Sequence, residues 1–167
     1  MLHLHRKLLI WMCAAIISPT IYAAPTSNIY STSFAILSYA KWPNPVPEIC
    51  VVNNPSFAQQ LTNHLPANAS YKISNIQSQQ IKNTNCTALF FSTLSDQEEQ
   101  HLLNTAVTFP ALSISTNNNN CEIGSAFCLY KKGSNYAFKV NMESLSQSKI
   151  HIDPRVLLLA KTAESNQ

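Results

Sequence analysis

The sequence predicts an α/β fold, a single-domain layered sandwich in which a mixed, largely parallel sheet is flanked by helices. Three observations carry that expectation. Short apolar runs of strand character alternate along the chain with segments of helical spacing, the pattern that builds parallel sheets. Near the end, two strand-like segments flank Lys132-Gly133-Ser134-Asn135, which reads as a hairpin and makes the sheet mixed. No repeat, linker or internal boundary interrupts residues 25–167, so they read as one domain.

The elements follow in order. Residues 26–41 carry Ile29, Tyr30, Phe34, Leu37 and Tyr39 at helical spacing, and the helix is expected to run up to Trp42-Pro43, where proline stops it. Pro43, Pro45 and Pro47 make a stiff connector. Ile49-Cys50-Val51-Val52 is a buried strand. Asn54-Pro55 supplies an N-cap and a first-turn proline for a helix over 55–65, with Phe57, Leu61 and Leu65 on one face. Residues 71–76 alternate as a half-buried strand, and Ala88-Leu89-Phe90-Phe91 is another buried one. Ser95-x-x-Glu98 is a capping box opening a helix through Asn104. Ala111 to Ile114 is the next strand, Asn117 to Asn120 a polar loop, and residues 126–131 and 136–141 the arms of the hairpin. Ile150-His151-Ile152 reads as a short strand or turn. Asp153-Pro154 caps a last helix, where Val156, Leu157, Leu158, Leu159 and Ala160 are expected to pack largely inside.

Composition narrows the chemistry. Only 11% of the 167 residues are charged, and Gly124 and Gly133 are the only glycines. Phosphate cradles and the nucleophile elbow need glycines at spacings that Gly124 and Gly133, nine positions apart, do not offer, so nucleotide-cofactor enzymes of those kinds are excluded. The first 24 residues read as a secretory signal peptide: Arg6 and Lys7, then an apolar run from Leu8 to Ile17, then Tyr22-Ala23-Ala24. The run is shorter than the about 20 residues that a bilayer core demands. Of eleven basic residues two lie in this segment, against eight acidic ones, so the mature chain is nearly neutral. It lacks the basic stripe of a nucleic-acid binder, and the mature protein is expected to be soluble, with no direct membrane insertion.

Cys50, Cys86, Cys121 and Cys128 remain after the leader. An even number in an exported chain reads as two disulfides, and four cysteines allow three pairings. Closeness in sequence favours Cys121–Cys128, which leaves Cys50–Cys86. The spacings match no zinc finger, and His64, His101 and His151 are scattered, so no metal is expected. No cofactor is expected either.

Candidates for catalysis are weak. Ser38-x-x-Lys41 matches a serine–lysine nucleophile pattern, but the rest of that signature is absent. Asp96, Glu98 and Glu99 occupy the first turn of a helix, where negative charge suits the helix dipole. No histidine has a matched acid or serine beside it. The chain is read as a non-enzyme that acts by binding.

Longer strings add a resemblance. Ala35-Ile36-Leu37-Ser38-Tyr39-Ala40-Lys41-Trp42-Pro43, with Ile49-Cys50-Val51 beyond it, resembles the opening of the YfiR family of periplasmic proteins. Val140-Asn141, Ser148 and Asp153-Pro154-Arg155-Val156-Leu157-Leu158-Leu159-Ala160 resemble its closing pattern, and the four cysteines fit its two-disulfide layout. The resemblance implies a periplasmic repressor of a membrane-bound diguanylate cyclase, acting on the periplasmic sensor domain and so lowering cyclic di-GMP and biofilm formation. It also implies redox control through the disulfides and a homodimer. Two departures stand out: Lys149 replaces a usual glycine, and Lys139 replaces a frequent acidic residue near the partner-facing end.

For partner binding, Phe127 beside Cys128 is the candidate apolar anchor, its equal alternative being a core residue of the strand, with Lys139, Leu145 and Ile150 as further contacts. The competing readings are a periplasmic small-ligand module, in which Tyr39 and Trp42 stack a ligand, and an adaptor for a membrane histidine kinase.

Overall fold

A computed structural model describes residues 27–165, and the leader expected over residues 1–24 lies outside the described residues. Helix α1 spans Ile29–Leu37 and opens on a capping box between Asn28 and Ser31. It is shorter than its spacing suggests. Residues 40–41 leave the helix to form strand β1 (Ala40–Lys41), antiparallel to β8 (His151–Ile152), and Asp153 N donates to Tyr39 O at 2.9 Å. A long-range backbone pairing overrides the local helical pattern there.

Strand β2 (Glu48–Val52) leads into α2 (Pro55–Asn63), whose first turn is closed by Phe57 N donating to Asn54 Oδ1 at 3.0 Å. Strand β3 (Lys72–Ile76), a 3-10 helix over Ser78–Asn83, and β4 (Ala88–Phe91) follow. Then come α3 (Asp96–Thr105), β5 (Leu112–Ser115), and the hairpin of β6 (Phe127–Lys132) and β7 (Asn135–Val140). Helix α4 (Met142–Gln147), which the periodicity does not announce, precedes β8, and α5 (Val156–Ser165) closes the fold.

The main sheet has six strands in the order β3-β2-β4-β5-β6-β7, all neighbours parallel except the β6–β7 hairpin. This is the mixed, largely parallel sheet expected from sequence. Gly133, at φ +59, makes the hairpin turn. Period-two alternation sends side chains to two cores. Ile49, Val51, Ala88, Phe90, Leu112 and Ile114 join Phe34, Ile36 and Leu37 of α1, Leu61 of α2 and Val156 of α5 in one. Cys50, Val52, Leu89 and Phe91 join Ile81 of the 3-10 helix and Ala106 after α3 in the other. Burial on both faces explains why β2 and β4 read as unbroken apolar runs. Each fully buried Leu, Ile or Phe side chain contributes about 1.5–3 kcal/mol.

Helix α5 corrects one expectation. Val156 is buried and Leu159 and Ala160 are half-buried, but Leu157 and Leu158 are 42% and 58% exposed. A surface helix buries one stripe, here positions 156, 159 and 160 at i, i+3 and i+4, and turns the others out. Lys149 has φ +56, a left-handed backbone that glycine adopts more readily than lysine.

Candidate functional site

The region with most built-in structure outside the cores is the loop between β5 and β6, closed by the Cys121–Cys128 disulfide. Cys121 and Gly124 take positive φ, +60 and +90, so the chain folds back tightly on itself. Asn118, buried, holds that shape: its Oδ1 accepts from Cys121 N at 2.9 Å and its Nδ2 donates to Ile123 O at 2.7 Å. Three further side chains tie the loop to β7 and α4. Lys139 Nζ donates to Asn119 O at 2.8 Å, Asn141 Nδ2 to Glu122 O at 3.0 Å, and Ser144 Oγ to Gly124 O at 2.7 Å. Asn141 thus binds the residue before Ile123 and itself precedes Met142, and both Ile123 and Met142 are exposed, at 39% and 63%.

Under this loop lies Glu99 of α3, with no exposed surface. Its Oε1 accepts from Ser115 Oγ at 2.5 Å, and its Oε2 from Ser125 Oγ at 2.8 Å and Ser125 N at 3.2 Å. Burial pushes the Glu99 carboxyl up to about 7; the serine hydrogen bonds pull it partly back, and the like charge of Asp96 raises it further. The alternation of β5 prepares the contact: Leu112 and Ile114 face the first core, so Ser113 and Ser115 face α3, where Ser113 Oγ accepts from Ala126 N at 2.9 Å. Sequence reasoning assigned Glu99 only to the helix dipole. The available signal was its position on the apolar stripe of α3, three, four and seven residues before Leu102, Leu103 and Ala106.

The residues picked from sequence fall in different places. The four cysteines pair as Cys50–Cys86 and Cys121–Cys128, with Cα atoms 5.8 and 5.7 Å apart. All four are buried, Cys121 the most exposed at 6%. The short loop therefore lies at the surface while its sulfurs do not. Phe127 is not on the surface: it is fully buried, packed edge-to-face on Phe138 at 5.7 Å, because odd positions of β6 point into the first core. Ile150 is buried in the same core and Leu145 is half-buried against it. Lys139 is exposed, its Nζ 5.6 Å from the centre of the Tyr130 ring.

Trp42 lines a groove of about 340 Å³ with Phe34, Ser38, Pro45, Pro47 and Tyr71, and Tyr39 is not among the residues lining it. The Trp42 and Tyr71 rings meet edge-on at 6.4 Å. Burial raises the Tyr71 phenol, an effect offset in part by the Trp42 indole, although Trp42 Nε1 falls short of hydrogen-bond geometry with any partner among the described residues. Ser38 and Lys41 do not form the helical pair the serine–lysine pattern requires, since Ser38 Oγ donates to Ala35 O and Lys41 lies in β1. His64 stacks on Tyr30 at 4.3 Å, and His101 and His151 are exposed. Among the described residues no cluster of His, Cys, Asp and Glu is placed to hold a metal ion, and no helix is long and apolar enough to cross a membrane.

Fold and site together define a disulfide-braced α/β domain whose most elaborated surface is a tethered loop. A model of the YfiR/HmsC-like family matches residues 30–161, from α1 into α5, and the chain belongs to that family. Membership supports, at its coarsest, a periplasmic regulator in diguanylate cyclase signalling.

Proposed function

We propose that the protein binds the periplasmic sensor domain of an inner-membrane diguanylate cyclase and represses it, lowering cyclic di-GMP and biofilm formation. Residues 1–24 act as the signal peptide that delivers it to the periplasm. Family membership is the observation that carries this reading. The tethered loop supports a place for the contact, with Ile123 and Met142 as exposed apolar anchors and Lys139 bound to Asn119 of the same loop. A loop fixed by a disulfide and by Asn118, Asn141 and Ser144 loses little freedom on binding, which keeps the cost of association low. The disulfide also gives a route to redox control: opening Cys121–Cys128 frees the loop while the two cores stay packed.

Co-purification tests it. The mature chain should retain the isolated periplasmic domain of the cyclase on an affinity column, and the variant with Ile123→Asp and Met142→Asp should not. No retention by the wild-type chain would remove the proposal.

A further inference from the structure

Glu99 bridges three segments through a single buried carboxyl. It belongs to α3, its Oε1 meets Ser115 of β5, and its Oε2 meets Ser125 at the end of the disulfide loop. Its neighbour Gln100 takes the next loop amide, with Gly124 N donating to Gln100 Oε1 at 2.8 Å. Gly124 is one of two glycines in the chain, and a Cβ there would stand 2.9 Å from Glu99 Oε2 and 3.2 Å from Asn118 Nδ2. The left-handed backbone and the missing side chain at position 124 are what let the loop close onto the carboxyl.

Among the described residues no cation compensates this acid. The charged and titratable groups on the surrounding segments are Asp96, Glu98 and His101 on α3, Glu122 in the loop, Lys139 on β7 and Glu143 on α4; β5 contributes none. Glu98 is engaged with Ser95, Lys139 with Asn119 and Glu143 with Gln147. Asp96 is the group whose charge acts on Glu99, and it is of like sign.

The hydrogen bonds accommodate a proton without losing a partner. In the neutral form the acid donates from Oε1 to Ser115 Oγ, whose own proton turns to Asn117 Oδ1 at 3.3 Å, while Ser125 still donates to Oε2. Ser115 Oγ keeps accepting from Asn118 N at 3.1 Å. In the ionised form the same pocket holds an unneutralised charge, which only water could solvate better, and water reaches it when the loop lifts.

We propose that Glu99 is a proton-operated latch: neutral, it locks the Cys121–Cys128 loop onto α3 and β5, and ionised, it loosens that loop. The sign follows from linkage. Burial holds the proton on Glu99 more tightly in the closed loop than in an open one, so closure is favoured at low pH and weakened as pH rises through the closed-state titration. The latch is a property of this chain alone and does not depend on the identity of its partner.

The test uses the intact mature protein. Carbon-detected NMR titration of the Glu99 carboxyl should give a midpoint near neutrality, and amide exchange at Gly124 and Ser125 should report the opening. After correction for intrinsic chemistry, their exchange should rise about tenfold from about pH 6 to about pH 8, with amides of Ile49 to Val52 unchanged relative to them. Glu99→Gln, which keeps the shape and removes the charge, should flatten that dependence. A Glu99 midpoint in the ordinary carboxylate range would overturn the proposal, whether or not the variant folds. The same pH dependence in wild type and a folded Glu99→Gln protein would also overturn it.

Discussion

Phe127 and Phe138 face each other across the β6–β7 hairpin, their rings packed edge-to-face with centroids 5.7 Å apart and both side chains buried. The pair places Phe127 in the first core, one residue from a disulfide that ties the same strand to the exposed loop. The hairpin and the loop are thus built on a shared strand but do different work: one fills the core, the other meets solvent.

Truncating Phe127 should therefore act through the fold. Phe127→Ala is expected to cost about 3–5 kcal/mol, the usual range for removing a buried phenylalanine. Chemical denaturation of the purified variant checks this. Its cellular effect should track its abundance, with no loss of binding per folded molecule.

Ile123 and Met142 should behave in the opposite way. Changing both to aspartate at the surface is expected to move the thermal midpoint by about 2 °C or less. The same pair should weaken the complex with the cyclase sensor domain by about tenfold or more if they are its anchors. Calorimetric titration of wild type and variant gives both affinities.

The two disulfides should separate on stability. Cys50–Cys86 spans 36 residues and joins β2 to the segment entering β4 inside the second core. The chain-entropy model gives about 3.8 kcal/mol for it and about 2.5 kcal/mol for the seven-residue span of Cys121–Cys128. Cys50→Ser with Cys86→Ser should lower the denaturation midpoint strongly. Cys121→Ser with Cys128→Ser should melt cooperatively and instead raise amide exchange across residues 118–126.

What the sequence shows and hides follows from the range of the forces involved. The unbroken runs of β2 and β4, the Asn54-Pro55 start of α2 and the Ser95 capping box are local signals, and each stands where it was read. The end of α1 was not legible, because β1 exists only through its pairing with residues 151–152, more than a hundred positions away. Nor was the buried side of Glu99, which depends on Ser115 and Ser125 arriving from other elements. Whether Phe127 is a binding anchor or a core residue was open for a similar reason, since adjacency to a cysteine in sequence does not say which face of a strand a residue takes, and the structure places it in the core.

Lys149 offers a stability test of a different kind. A lysine at φ +56 pays a left-handed backbone cost of about 1–2 kcal/mol that glycine avoids. Lys149→Gly should stabilise the protein by about 1 kcal/mol, net of the extra freedom glycine gives the unfolded chain. A guanidinium titration at fixed pH reads it directly.

The central claim is that the chain holds a diguanylate cyclase in check, and the cellular level of cyclic di-GMP is its most direct measure. Extracts from a strain lacking the gene should contain more cyclic di-GMP than the parent, and expression of the exported wild-type chain should bring the level back down. An unchanged level in the deletion strain, with the cyclase present and active, would contradict the account.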